Sequence, residues 1–167
     1  MEFNDVIQNR YSCKNYTDRQ VDAVTLRKIL EAGRVAPTAK NSQPQRIYVL
    51  QSEESLAIVD QLTPCRYGAP TVLAFAYDAN QIFHYPGNRY DSGAEDVTIV
   101  ATQIVLAAQN EGVNSCWLNK FDPDEAKELL QLPDNETVVL LLDLGYASET
   151  GVALPKHFDR KPLEDTV

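Results

Sequence analysis

The sequence predicts an α+β fold, with a central, mainly antiparallel sheet of four or five strands flanked by helices. Three observations carry this expectation. Helical and strand-like segments are mixed along the chain without strict alternation. Two runs, PTVLAFAY at 70–77 and ETVVLLLDLGYA at 136–147, read as strongly buried strands. The longest helical segment, 91–112, carries apolar residues on nearly all its faces.

The 167 residues suffice for a single domain spanning 1–167 with a sizeable core. Apolar residues make up 44% and charged residues 23%, ordinary values for a soluble globular chain. The net charge of -9 argues against a general nucleic-acid binder, which needs a basic surface, and against docking on anionic lipid. A local basic pocket for a phosphate remains compatible with it. Residues 1–9 carry Glu2 and Asp5 and no long apolar core, so no secretory leader is expected. The longest aliphatic run, 138–142, is far short of the roughly 20 residues that span a bilayer. Cys13, Cys65 and Cys116 form no CxxC pair, which points to reduced thiols in a cytoplasmic protein rather than a disulfide framework or zinc site. The chain lacks a GxGxxG, P-loop, GxSxG or HExxH motif, and its two histidines are far apart in sequence. No metal site is expected.

In chain order, Phe3, Val6, Ile7 and Arg10 follow helical spacing, so a short helix is expected over 4–9. It leads into RYSCKNY at 10–16. In an extended chain Arg10, Ser12 and Lys14 point to one face and offer a guanidinium fork, a hydroxyl and a point charge to a phosphate. The competing reading is a solvated polar edge. Asp22 can cap a helix running to about Gly33, with Leu26, Ile29 and Leu30 as its apolar stripe. APTAKNSQPQ follows at 36–45. Pro37 and Pro44 stiffen it, and Thr38, Ala39, Asn41, Ser42 and Gln43 between them are small or amide-bearing. Such a loop suits a flat ligand rich in heteroatoms. It would serve equally as an ordinary helix-to-strand connection.

A strand at 46–51 and a helix at 53–62 come next, then the buried strand at 70–77. The loop 78–90 carries His84, Tyr85 and Tyr90, and an isolated loop histidine such as His84 is more often a surface residue than a proton donor. A helix at 91–112 that is apolar all round must be covered all round, and a second subunit is the natural partner for the side its own domain leaves open. The alternative is a central helix wrapped by its own domain. NSCWLNK at 114–120 is strand-like, with Trp117 and Leu118 as packing residues. Asp122, Pro123 and Glu125 begin another helix, which ends near Leu132. The segment 136–147 carries the last strand, which is expected to end at Gly145. A polar tail, 148–167, contains FDRKPLED.

Four segments taken together resemble the nitroreductase family of flavoproteins: RYSCKNY, APTAKNSQP, GVNSCWLNKFD and FDRKPLED. The match covers nearly the whole chain and its segments fall in the family's order. It implies a nitroreductase-like α+β fold in a homodimer, with the long central helix at the interface and FMN sites formed by both chains. By the resemblance, Arg10, Tyr11, Ser12 and Lys14 hold the phosphate and ribityl chain. Pro37, Thr38, Ala39, Asn41 and Gln43 line the flavin, and Trp117, Leu118, Asn119 and Lys120 follow the flavin edge. Arg160 reaches the phosphate from the C-terminal arm. Gln45 stands where the family usually has Trp, and Lys14 and Lys120 stand where it often has Arg and Gly. The implied activity is an FMN-dependent oxidoreductase. NAD(P)H passes a hydride to flavin N5 and leaves, and a nitroaromatic, quinone or similar conjugated small-molecule acceptor takes its place. No side chain stands out as a catalytic acid or base. The same site would also suit a same-fold enzyme that dehydrogenates a biosynthetic intermediate, or a flavin carrier or sensor without turnover.

Overall fold

The structure is a computed structural model that describes residues 1–87 and 89–167. Helix α1 spans Phe3–Asn9 and α2 spans Ala23–Arg34. Asp22 caps α2 as expected: its carboxylate accepts from Val24 N and Thr25 N, both at 3.0 Å. Strand β1 is Gln45–Leu50 and α3 is Glu53–Leu62, begun by Ser52 Oγ accepting from Ser55 N at 3.1 Å. Strand β2 is Thr71–Asp78, α4 is Gly93–Asn110 and β3 is Asn114–Leu118. Helix α5, Pro123–Leu129, is capped by Asp122, and β4 is Glu136–Gly145.

The four strands form one antiparallel sheet in the order β1-β2-β4-β3. The strongly apolar strands β2 and β4 are therefore central, where both faces are covered. The faces separate by alternation. Leu73 and Phe75 of β2 and Leu140, Leu142 and Leu144 of β4 pack with Ile29 of α2 and Val97, Val100 and Ile104 of α4. Val72, Ala74, Leu141, Cys116 and Leu118 turn the other way, towards Val59 of α3. Each of the fully buried Leu, Ile, Val and Phe side chains among them contributes about 1.5–3 kcal/mol relative to exposure. Helices α2 and α4 approach closely at Gly33, where an added Cβ would lie 2.5 Å from Ile104 Cδ1.

The register of β2 against β4 shifts between Phe75 and Ala76, whose partners are Leu140 and Val138. Val139 is left unpaired in the bulge. Its carbonyl accepts instead from Asn119 Nδ2 at 3.0 Å. That bond turns the chain out of β3 after Leu118, so the strand ends two residues before the expected 120. Strand β4 ends at Gly145, as expected, and Tyr16 and Ala147 form an isolated bridge beyond it. Helix α5 stops at Leu129, short of Leu132, because Gln131 takes a left-handed φ of 54° ahead of Pro133. The tail carries short 3-10 turns at Pro155–Phe158 and Leu163–Asp165.

Helix α4 is covered on one side only within the chain. Its outer side is less uniformly apolar than expected: Thr98, Thr102 and Asn110 accompany Ile99 and Leu106. These residues, with Met1 and Phe3 of the N-terminal segment and Pro37 of the 36–45 loop, line an open groove of about 730 Å³. Among the described residues, no helix is long and apolar enough to cross a membrane.

Candidate cofactor site

Residues 10–16 run along the free edge of β3. Ser12 forms a parallel bridge with Ser115, and Cys13 N donates to Ser115 O at 2.9 Å. The alternation buries Cys13 and turns Ser12 and Lys14 outwards, and it breaks at Asn15 before the buried Tyr16. Both outward residues line a cleft of about 370 Å³. Cys65 and Tyr67, the end of β3 with Trp117 and Leu118, the adjoining Asn119 and Lys120, and the tail residues Lys156 and His157 complete its walls. Lys14, Lys120, Lys156 and His157 thus bring cationic and proton-donating groups together on a chain with net charge -9.

Local bonds fix this geometry. Lys14 Nζ lies 5.6 Å from the centre of the Tyr67 ring, within reach of a cation–π contact. Tyr67 and Gly68 both have left-handed φ, 53° and 77°, and form the turn that presents the phenol. Trp117 Nε1 donates to Asn119 Oδ1, which locks the half-buried indole to the strand end. Arg10 and Ser12 line an adjoining cavity of about 200 Å³ together with Trp117 and with Thr102 and Leu106 of α4. The cavity and the cleft share Ser12 and Trp117. The cavity and the apolar groove share Thr102 and Leu106. The three depressions therefore form one continuous surface.

The tail reaches the cleft through Gly151. Tyr11 Oη donates to Gly151 O at 2.6 Å, and the Tyr11 ring meets His157 edge-on with centroids 6.4 Å apart. A Cβ on Gly151 would lie 2.2 Å from the backbone oxygen of Asn15. Backbone cannot yield as a side-chain tip can, so Gly151→Ala is expected to lift the tail and to destabilise the fold by about 1–3 kcal/mol. Calorimetry would read this as about 2–4 °C of Tm per kcal/mol. Limited proteolysis of the tail should accelerate with it. An unchanged Tm with an unchanged cleavage rate would show that the tail does not depend on this contact.

The 36–45 loop lies apart from the cleft. None of Pro37, Thr38, Ala39, Asn41 and Gln43 lines it. The loop is stiff, as its prolines imply, and contains one 3-10 turn at Ala39–Asn41. Lys40, Asn41 and Gln43 hold left-handed φ of 53°, 54° and 51°, strained for residues with side chains. Asp96, buried in the first turn of α4, accepts from Ala39 N at 2.7 Å, and Thr38 Oγ1 accepts from Gln43 N at 3.1 Å. These bonds hold the strained backbone in place. Arg160 also lies outside the cleft. Its guanidinium folds back onto the carbonyls of His157 and Asp159 and is solvent-exposed. His84 pairs with Asp91 in a small bridge and lines none of the cleft.

Two ionisable groups below the cleft are displaced from their ordinary ranges. Burial pushes the Cys116 thiol up to about 12 and the Asp143 carboxyl up to about 9. Asp143 is opposite Cys116 in the β3–β4 ladder and therefore faces the same side of the sheet.

The profile of the Nitroreductase family matches residues 7–65 and 62–146. This chain belongs to the nitroreductase family. An Archaeoglobus fulgidus protein named as a candidate NADH dehydrogenase/NAD(P)H nitroreductase is 31% identical over 154 residues, covering 86% of this chain and 84% of that protein. The crystal structure of a nitroreductase family protein from Clostridium difficile 630 superposes with a TM-score of 0.93 at 33% identity. It covers 100% of this chain and 97% of its own. A candidate nitroreductase from Exiguobacterium sibiricum, solved in complex with FMN, shares the fold at a TM-score of 0.85 and 21% identity, covering 100% and 96%. The nitroreductase fold accounts for the α+β, four-stranded antiparallel architecture.

Against the nitroreductase motifs, the structure adds Cys65, Tyr67, Lys156 and His157 to the cleft. The sequence carries a weak signal for the first two, since Pro64 and Gly68 bracket a turn there. It carries none that would select Lys156 and His157 over Arg160.

Proposed function

We propose that the chain is an FMN-dependent oxidoreductase that takes electrons from NAD(P)H and delivers them to a conjugated small-molecule acceptor such as a nitroaromatic or quinone. The observation that carries this reading is the cleft. Donors and cations from four separate segments converge beside an indole, on a chain whose overall charge would repel an anion. Their chemistry fits FMN. Ser12, Lys14 and the tail cations suit its phosphate, Trp117 and Tyr67 suit an aromatic ring, and the backbone at 118–120 suits the ring edge. The bound flavin would supply the two-electron chemistry. The protein's own part is to orient the ring, to exclude water from its face, and to place positive charge where negative charge develops.

The loop 36–45 and Arg10 enter this reading through a second copy. The continuous surface from groove to cleft supports an isologous homodimer. There the α4 faces meet and each chain's loop closes the other's site. Acceptor protons come from water, and the three free thiols suit a cytoplasmic setting.

The reading is tested by the visible spectrum of the purified protein, followed by anaerobic addition of NADH and then NADPH. Flavin that bleaches supports it and reveals the preferred nicotinamide. Flavin that never bleaches leaves a binding protein, and failure to bind added FMN removes the reading. Lys14→Ala, and likewise Arg10→Ala, is expected to weaken FMN binding by about 1.5–3 kcal/mol, the value of one charge-assisted contact. Fluorescence titration should show roughly a 10- to 150-fold higher Kd. An unchanged Kd would take that residue out of the clamp.

A further inference from the structure

All three cysteines of the chain converge beneath or beside the cation cleft, and they are not equivalent. Cys13 and Cys116 are buried in the packed interior at 0% and 3% exposure, and burial raises both thiols. Cys65 is half-buried and stands in the cleft wall. The polar groups of Tyr67 and Thr63 adjoin it, with Thr63 Oγ1 accepting from Cys65 N at 3.2 Å, and Lys120 and Lys14 add positive charge. Together they hold the Cys65 thiol below the ordinary range for cysteine, the condition for a nucleophilic thiolate. A second feature belongs to the same floor. Asp143 is 0% exposed, and among the described residues neither of its carboxyl oxygens has a hydrogen-bond partner. It adjoins Cys65 and Cys116, and the cation that acts on it, Arg66, is already committed to Asp60. In its neutral form it opposes neither the thiolate nor an incoming anion.

We propose that Cys65 is a disulfide-exchange site for small anionic disulfides, recognised by the lysines that line its cleft. The Cys65 thiolate attacks one sulfur of RS–SR. A new Sγ–S bond forms as the S–S bond breaks, and the second RS leaves as a thiolate with the electron pair. The disulfide is the only oxidant required. The lysines raise the local concentration of an anionic disulfide and stabilise the departing thiolate. Lys14 and Lys120 also belong to the proposed phosphate clamp. The mixed disulfide would then exclude the cofactor until a thiol reduces it, a consequence that rests on the flavin reading.

The test uses the full-length protein without added FMN. Limiting 5,5′-dithiobis(2-nitrobenzoic acid) is the anionic probe and cystamine the cationic one, each rate normalised to that of free cysteine. The first equivalent should map to Cys65 by peptide mass spectrometry and vanish in Cys65→Ser. The anionic probe should be favoured at least tenfold at low salt, and the preference should collapse at high salt. First labelling at Cys13 or Cys116, no labelling of the native protein, or no charge preference would overturn the assignment. Thiolated protein should bind FMN at least tenfold more weakly than unmodified protein, with full recovery in dithiothreitol. Equal FMN binding before and after thiolation would overturn the exclusion. Unmodified protein that fails to bind FMN would remove the flavin reading instead, and the labelling would still decide the thiol.

Discussion

Replacing Ile99 with Glu is expected to yield a monomer that no longer retains FMN. Ile99 is 37% exposed on the outer side of α4, and Phe3 beside the same groove is 67% exposed. A contiguous apolar depression of this kind on a small protein marks a contact surface. In an isologous interface each substitution occurs twice. A buried carboxylate without a partner costs about 3–5 kcal/mol, so two should weaken the dimer by at least about four orders of magnitude. FMN retention should fall with it, because the 36–45 loop does not line its own chain's cleft. Sedimentation velocity with simultaneous flavin absorbance reads both outcomes. Val24→Glu on α2, at a position 69% exposed and outside that groove, is the control and should change neither. An Ile99→Glu protein that stays dimeric and yellow would remove α4 from the interface.

The fold was legible where local chemistry and tertiary packing agree. Helix α3 spans the expected 53–62 because Ser52 caps it and its apolar stripe meets the sheet. The long runs that became β2 and β4 could only be central strands. The boundaries went astray where a distant group decides them. The end of β3 depends on Asn119 reaching the bulged carbonyl of Val139, twenty residues away, and no local pattern encodes that bond.

The site divides in the same way. Alternation along 10–16 is a local property, so Ser12 and Lys14 could be placed on one face from spacing alone. The cations of the tail could not. Which of Lys156, His157, Arg160 and Lys161 reaches the cleft depends on how Gly151 seats the chain against Asn15 and Tyr11. The prolines announced the stiffness of the 36–45 loop. Its left-handed residues went unannounced, because Lys40, Asn41 and Gln43 are not the glycines that usually signal them. Strain of this kind persists only where the surroundings hold it, here through the buried carboxylate of Asp96.

Asp143→Asn is expected to stabilise the fold, by an amount that grows with pH. The side chain is fully buried, its carboxyl oxygens have no donors among the described residues, and burial raises its pKa from 3.8 to about 9. Arg66 cannot relieve it, being bonded to both carboxylate oxygens of Asp60 and to Ala69 O. The folded state therefore holds a proton that the unfolded chain has released between these two values. Stability from this group is complete below about pH 3.8 and falls by about 1.4 kcal/mol per pH unit as pH rises towards 9. At pH 7 the loss spans roughly three pH units, or up to about 4 kcal/mol. An amide of the same shape is as poorly bonded as the neutral acid but has no proton to take up. The gain should thus be negligible near pH 4 and close to that limit at neutral pH. Urea unfolding of both proteins from pH 4 to pH 9 provides the measurement. Parallel curves would mean that the carboxyl is ionised or solvated in the fold. Diverging curves would identify a standing cost beneath the cleft, consistent with a floor that must stay uncharged so that Lys14 and Lys120 keep their attraction for an anion.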